Sequence, residues 1–255
     1  MARFSANLGF LFDDLALPDA IRAAKAAGFE AVECHWPYAV PVEDVCGALA
    51  DTALVMLGLN TSRGNVALGD NGLSAIPGRE DEARAAIREA IAYAIAIAAP
   101  NVHVMAGKAS GDEAREVFLS NLAYASDLAR PHDITLLIEP LNSRDAPGYF
   151  LTGSAQAVDL IETLAADNVK LMFDCYHLQI MEGDLPARLE RLMPHIGHIQ
   201  IASVPDRREP DHGDLDYRAL LRLLDDMGYG RPIGAEYRPA TSTAAGLGWL
   251  KALRQ

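Results

Sequence analysis

The chain has 255 residues, 50% of them hydrophobic and 22% charged, which is ample for a well-buried core and fits either one α/β barrel or two small domains. Lys+Arg number 22 against Asp+Glu 35, a net charge of −13, and a surface that acidic repels phosphate backbones and anionic lipid, so nucleic acid and membranes are poor partners. No apolar run approaches the roughly 20 residues of a membrane-spanning helix. The opening Met1-Ala2-Arg3-Phe4-Ser5 shows no signal peptide. Cys34, Cys46 and Cys175 are odd in number and widely spaced, which argues against a disulfide framework or a cysteine zinc site. The expectation is a soluble protein of a reducing, cytoplasmic compartment.

Short apolar runs alternate with amphipathic ones along the chain. Strands are expected at 4–10, 31–34, 54–59, 102–105, 135–139, 169–174, 198–202 and 232–236. Each is short, bounded by Gly, Pro or Asn, and apolar on both faces, as buried parallel strands are. Helical patterns lie between them. Residues 20–27 stop at Gly28, 80–98 at Pro100, 112–130 at Pro131 and 216–227 at Gly228, and Ser154 stands where the N-cap of 155–165 is expected. Eight strand-then-helix units in this length match a (β/α)₈ TIM barrel. A doubly wound sheet would show a Gly-rich phosphate loop after the first strand, and Leu11-Phe12-Asp13-Asp14 has none. No linker or low-complexity tract divides the chain, so residues 1–255 read as one domain. Two long polar loops, 60–78 and 203–215, fall on the C-terminal face of such a barrel, where substrates bind.

The sharpest signal stands at the strand ends. Ile134-Thr135-Leu136-Leu137-Ile138 finishes in Glu139, and Val169-Lys170-Leu171-Met172-Phe173 finishes in Asp174. His198-Ile199 leads to Gln200, and Pro232-Ile233-Gly234-Ala235 leads to Glu236. Any one of these is as readily a salt bridge or loop cap as a ligand. Four in sequential register, carried to one end of a barrel, are costly to desolvate unless a cation receives them. Oxygen donors of this kind suit Mg²⁺ first and Mn²⁺ second. A divalent ion on the carbonyl and hydroxyl of an α-hydroxy carbonyl compound acidifies the adjacent C–H. Glu139 and Glu236, from nearly opposite ends of the half-ring, would then form the acid/base pair. The expected chemistry is aldose–ketose type isomerisation, or epimerisation, through an enediolate.

The motifs around these residues resemble the hydroxypyruvate isomerase family of xylose-isomerase-like barrels. Glu139-Pro140-Leu141-Asn142 with Pro147-Gly148-Tyr149-Phe150-Leu151 is similar to its fifth-strand segment. Asp174-Cys175-Tyr176-His177-Leu178-Gln179, His198-Ile199-Gln200-Ile201-Ala202 with Pro205-Asp206-Arg207-Arg208-Glu209-Pro210, and Glu236-Tyr237-Arg238-Pro239 fit as well. The resemblance covers essentially the whole chain. It implies a divalent ion held by Glu139, Asp174, Gln200 and Glu236, with Glu139 and Glu236 as the proton donor/acceptor pair. It also implies interconversion of hydroxypyruvate and 2-hydroxy-3-oxopropanoate (tartronate semialdehyde). A 2-oxo-tetronate isomerase, or an epimerase of a small ketose or sugar acid, is the alternative on the same site. Many epimerases place His where this chain has Gln200, and the amide oxygen, a harder ligand, tilts the metal toward Mg²⁺. The chain departs from the pattern at Cys34-His35-Trp36-Pro37-Tyr38, which bears on the substrate rather than on the reaction class.

Among the remaining polar residues, Arg207 is the candidate grip for a substrate carboxylate, against a solvated loop arginine beside Arg208. His177 is read as a substrate hydroxyl contact or a helix cap, and His103 as pocket lining or a satisfied core histidine. Asn7, His35 and Asn60 close the first three strands, to hydrogen-bond substrate or to cap turns. Arg63 is a second anion grip or a surface arginine, and Trp36 with Tyr38 a pocket wall or a packed pair. Cys175 reads as an inert core residue. The partner is thus a small 2-oxo acid or sugar acid, and barrels of this kind occur as monomers, dimers and tetramers, which leaves room for a homo-oligomer. Two other classes compete. A DNA-repair nuclease on the same barrel would want more ligating histidines and a basic face, and a non-catalytic sugar-acid binder would not need the two glutamates.

Overall fold

The computed structural model describes residues 2–254. Among them eight parallel strands alternate with helices: β1 (Phe4–Asn7), α1 (Leu17–Ala26), β2 (Ala31–Glu33), α2 (Val42–Thr52), β3 (Gly58–Asn60), α3 (Glu80–Ala96), β4 (Asn101–His103), α4 (Gly111–Ala129) and β5 (Thr135–Ile138). There follow α5 (Ser154–Leu164), β6 (Val169–Asp174), α6 (Cys175–Met181), α7 (Leu185–Leu192), β7 (Ile196–Ile201), α8 (Tyr217–Asp226), β8 (Ile233–Ala235), α9 (Thr243–Gly246) and α10 (Gly248–Ala252). The strands hydrogen-bond in the order β2-β1-β8-β7-β6-β5-β4-β3. The seam between β2 and β3 is closed by Val32 N donating to Val55 O at 3.0 Å, Leu57 N to Val32 O at 2.7 Å and Cys34 N to Gly58 O at 3.1 Å. The (β/α)₈ barrel expected from the apolar rhythm is the fold.

Strands β1, β2, β7 and β8 are buried along their whole length, whereas β3 buries only Leu59 and leaves Gly58 and Asn60 half-buried. The helices lay one stripe on them. In α8 the stripe is Tyr217, Leu220, Leu221 and Leu224, spaced i, i+3, i+4, i+7. Asp216 caps that helix, its carboxylate accepting from Ala219 N at 3.1 Å.

Some expected boundaries differ. β1 stops at Asn7 because the chain turns there, with Phe10 N at 3.2 Å and Leu11 N at 2.9 Å donating to Asn7 O. The third strand begins at Gly58 rather than at 54. The N-cap of α5 is Gly153, and Ser154 is the first helical residue. Ser154 is buried, so its hydroxyl donates outward to Glu182 Oε2 at 2.7 Å while Glu182 Oε1 accepts the Ser154 backbone N–H at 2.8 Å. A carboxylate from beyond β6 caps this helix in place of the serine. The helices α2, α6, α7, α9 and α10 are additions to the expected set.

The loop 60–78 is tied to the barrel mouth. Thr61 N donates to His103 O at 2.9 Å and Ala75 N to Ala106 O at 2.7 Å, and Arg79 pairs with Asp70 at 2.8 Å. Near the chain's end, α10 carries Trp249 onto Phe4 at a centroid distance of 5.1 Å and onto Tyr237 at 5.9 Å, both edge-on. The Trp249 indole N–H donates to the Tyr237 hydroxyl at 3.0 Å. Trp249→Ala should therefore cost roughly 3–5 kcal/mol, read as a lower midpoint in urea unfolding. An unchanged midpoint would mean that α10 is not part of the barrel's cooperative core.

Candidate active site

The ends of the last four strands carry the site. Glu139 follows β5, Asp174 ends β6, Gln200 lies in β7 and Glu236 follows β8, and all four are buried. The register aligns Asp174 with Gln200 across β6 and β7, so both side chains leave the sheet on the same face at the same level. The carboxylates of Glu139, Asp174 and Glu236 and the imidazole of His177 offer ligand atoms that all lie within 4.8 Å of one another.

Local chemistry decides which atoms are free. Asp174 is the N-cap of α6, and its Oδ1 accepts from Tyr176 N at 2.7 Å and His177 N at 3.4 Å. Its Oδ2, together with Glu139 Oε1 and Gln200 Oε1, is buried with no hydrogen-bond partner among the described residues. Buried oxygens left unpaired in this way are expensive, and three carried by the neighbouring strands β5, β6 and β7 suit a hard cation. His177 reads differently. The backbone N–H of Asn142 donates to His177 Nδ1 at 3.0 Å, so the neutral ring carries its proton on Nε2. That Nε2–H lies 3.8 Å from Asp174 Oδ2 and 4.0 Å from Glu139 Oε1. A protonated nitrogen is a donor, not a ligand, and the donor set reduces to the oxygens expected from the strand ends.

The other expected residues divide. Asn7 Nδ2 donates to Glu236 Oε1 at 2.9 Å, so it braces that carboxylate. His35 Nε2 lies 3.1 Å from the same oxygen. His103 is buried with Nδ1 3.6 Å from Glu139 Oε2. Asn60, Arg63, His103, His177 and Arg207 line a cavity of about 500 Å³ over the cluster. Arg207, expected as a grip for a substrate carboxylate or as a solvated loop arginine, is not a solvated one, its side chain being 14% exposed. Instead its Nη2 donates to Glu236 Oε2 at 2.5 Å, and it stands 5.0 Å from the ring centres of both Phe10 and Tyr176. Arg63 stacks 3.9 Å over Trp36, which walls the cavity, whereas Tyr38 packs edge-on against Tyr93. Cys175 is a buried free thiol. Glu33, at the end of β2, is the residue that the sequence reading passed over: it is a fourth buried carboxylate, hydrogen-bonded to Gln200. Its signal was the same strand-end carboxylate, hidden when the strand is read through Cys34.

The electrostatics follow from crowding. Burial and the charges of Glu236 and Asp174 push the Glu139 carboxyl well above its ordinary range. Burial and Glu236 raise Asp174 to about 7. Burial would raise Glu236 too, but Arg207 and His35 outweigh it and hold this carboxyl low. Burial lowers His103 to about 4, and burial with the Arg207 charge lowers His177 to about 3, so both rings are neutral near pH 7.

The chain belongs to the xylose isomerase-like TIM barrel family, whose model matches residues 21–253. Its relatives include the hydroxypyruvate isomerases that its motifs resemble. It is 45% identical over 255 residues to the 2-oxo-tetronate isomerase of Cupriavidus necator, covering 98% of each chain. It is 40% identical to the putative hydroxypyruvate isomerase of Homo sapiens, over 98% of this chain and 94% of the relative, and 38% identical to the hydroxypyruvate isomerase of Escherichia coli over 100% of each. The crystal structure of an AP endonuclease, family 2, from Brucella melitensis is 40% identical and superposes with a TM-score of 0.95 over 99% of both chains.

A carboxyl whose folded value is raised destabilises the fold once it ionises, so the penalty at Asp174 grows from about pH 4 and is complete above about pH 7. Asp174→Asn keeps the Oδ1 cap and removes the charge. In chelator, thermal unfolding should show it more stable than the parent by on the order of a few kcal/mol at pH 8. The gain should shrink toward pH 4. A gain that does not vary with pH, or a loss at pH 8, would contradict the crowding.

Proposed function

We propose that this protein is an isomerase that interconverts hydroxypyruvate and 2-hydroxy-3-oxopropanoate, with Glu139 and Glu236 as its acid/base pair. The observation that carries the reading is the convergence of Glu139, Asp174 and Glu236 within 4.8 Å, with unpaired oxygens on Glu139, Asp174 and Gln200. Glu139, Asp174, Gln200 and Glu236 would hold one divalent cation, Mg²⁺ first and Mn²⁺ second, because every donor is a hard oxygen. When bound, that ion supplies Lewis-acid polarisation of the substrate's carbonyl.

The chain's own groups do the rest. One of the two glutamates takes the proton from C3 of hydroxypyruvate, the C3 hydroxyl proton passes to the C2 oxygen at the enediol stage, and the other glutamate delivers a proton to C2 as C3 becomes the aldehyde. Their environments push them apart, Glu139 toward the protonated and Glu236 toward the ionised form, which is the complement that a two-carboxyl transfer needs. His177 Nε2–H, its proton fixed by Asn142, offers a donor to a substrate oxygen. Arg207 lines the cavity beside Glu236, so it is assigned to the substrate carboxylate while Nη2 remains on Glu236. The three free thiols suit a reducing, cytoplasmic setting.

A second reading, isomerisation of 2-oxo-tetronate, is favoured by the activity of the Cupriavidus necator relative at 45% identity, and the same residues would serve it. A nuclease reading, suggested by the Brucella melitensis AP endonuclease, sits poorly with a net charge of −13.

Glu139→Gln and Glu236→Gln should each lower turnover of hydroxypyruvate by on the order of 10²–10⁴-fold, with circular dichroism unchanged in both. The thermal midpoint should be unchanged or raised in Glu139→Gln but lowered in Glu236→Gln, which leaves the Arg207 guanidinium without its partner. The same assay on the four-carbon acid separates the two substrates by their kcat/KM. Retained turnover in either folded variant would reject the paired mechanism.

A further inference from the structure

Beneath the cluster, on the far side of the barrel interior, lies a second polar group of side chains. Glu33 Oε1 accepts from Ser5 Oγ at 2.6 Å, both Glu33 oxygens lie 3.1 to 3.2 Å from His198 Nε2, and Gln200 Nε2 donates to Glu33 Oε2 at 2.7 Å. All four residues are buried. Gly234 keeps the space open, since a Cβ there would stand 2.5 Å from Glu33 Oε1 and 2.8 Å from Gln200 Cγ. Each group that meets the Glu33 oxygens, the Ser5 hydroxyl, the His198 ring nitrogen and the Gln200 NH₂, can donate to them, so Glu33 stands here as a hydrogen-bond acceptor.

That carboxylate constrains Gln200. A primary amide is nearly symmetric in shape and turns over at little steric cost, yet only its oxygen binds a cation. With a carboxylate on one side, the amide can present only its NH₂ to it, and the oxygen must face the other way. Gln200 Oε1 is buried without a partner among the described residues, and Gln200 lines a small interior cavity together with Glu139 and Glu236. We infer that Glu33 is a positioning residue: it locks the Gln200 amide with its oxygen turned toward the carboxylate cluster and so sets that oxygen as a cation ligand. The inference rests on the metal reading of the site given above. Positioning of this kind around metal ligands is commonly worth 10–100-fold in affinity.

The test is Mn²⁺ affinity by electron paramagnetic resonance titration, with hydrogen exchange of the Gln200 side-chain amide in the ion-free protein as a second readout. Glu33→Asp keeps the charge but withdraws it from Gln200, and Glu33→Gln removes both charge and lock. Each should weaken Mn²⁺ roughly 10-fold or more and speed exchange of the Gln200 amide. In a Gln200→Ala background, Glu33→Gln should cause no further loss. The exchanged pair E33Q/Q200E restores one amide donating to one carboxylate and should recover most of the affinity. Glu33→Asp with parental Mn²⁺ affinity and a protected Gln200 amide would overturn the inference. So would a Glu33→Gln loss that is undiminished without Gln200, since Glu33 would then act by charge alone. If the parent protein itself fails to bind Mn²⁺, both the metal reading and this inference fall. Tight binding in the parent and in Glu33→Asp alike removes only the inference.

Discussion

Carboxylates repel one another, and this barrel buries Glu139, Asp174 and Glu236 with ligand atoms inside 4.8 Å. At such separations two ionised groups in a low-dielectric interior oppose each other by several kcal/mol unless something neutralises them. The surroundings supply partial answers. Arg207 sits against Glu236 and reaches within 3.8 Å of Asp174, Asn7 and His35 donate to Glu236, and two backbone N–H groups cap Asp174. Among the described residues no hydrogen bond reaches Glu139 Oε1 or Asp174 Oδ2. The residual imbalance accounts for the raised Glu139 and Asp174, and a divalent cation held there, as proposed, would offset it.

That constraint also explains why the site is asymmetric. The Arg207 guanidinium is held between the faces of Phe10 and Tyr176, which fixes it on the Glu236 side and leaves Glu139 to its carboxylate neighbours. Two glutamates of equal intrinsic strength are thereby pushed in opposite directions, as the proposed two-glutamate transfer requires. The histidines are kept neutral by burial rather than recruited as extra charge. Their contribution is directional, and at His177 the direction is set by one backbone N–H from Asn142. Glu33 plays a comparable part on the opposite side, where its oxygens meet only donors.

The barrel was legible because each strand is a short apolar run closed by a turn signal, and the cluster of strand-end carboxylates because a carboxylate at the end of such a run has few inexpensive explanations. Helix α2 was harder to read. Its buried stripe Val45, Ala48, Leu49 and Thr52 is interrupted by Gly47 and flanked by acids, so the period is weak until the barrel wall is there to receive it. Helix α6 begins at Cys175 with no loop after β6, and only the Asp174 side chain, serving as cap and cluster member at once, separates strand from helix. The partner of Arg207 lies 29 residues away in sequence, and the Glu33–Gln200 contact spans 167. Such pairings come from barrel closure, and no local pattern encodes them. Ser154 shows the converse. A good capping residue by type, it was overruled by a half-buried carboxylate from Glu182.

The proposed activity turns on a cation-dependent proton transfer at one carbon. Proton NMR of hydroxypyruvate in D₂O follows that carbon directly, with protein stripped by chelator, with Mg²⁺ restored, and against a protein-free control. The expected result is loss of the C3 proton signal with growth of the aldehyde hydrate when Mg²⁺ is present, and control-level exchange in chelator. A C3 signal that persists with the cation restored, or one lost equally fast in chelator, would contradict the chemistry assigned to these carboxylates.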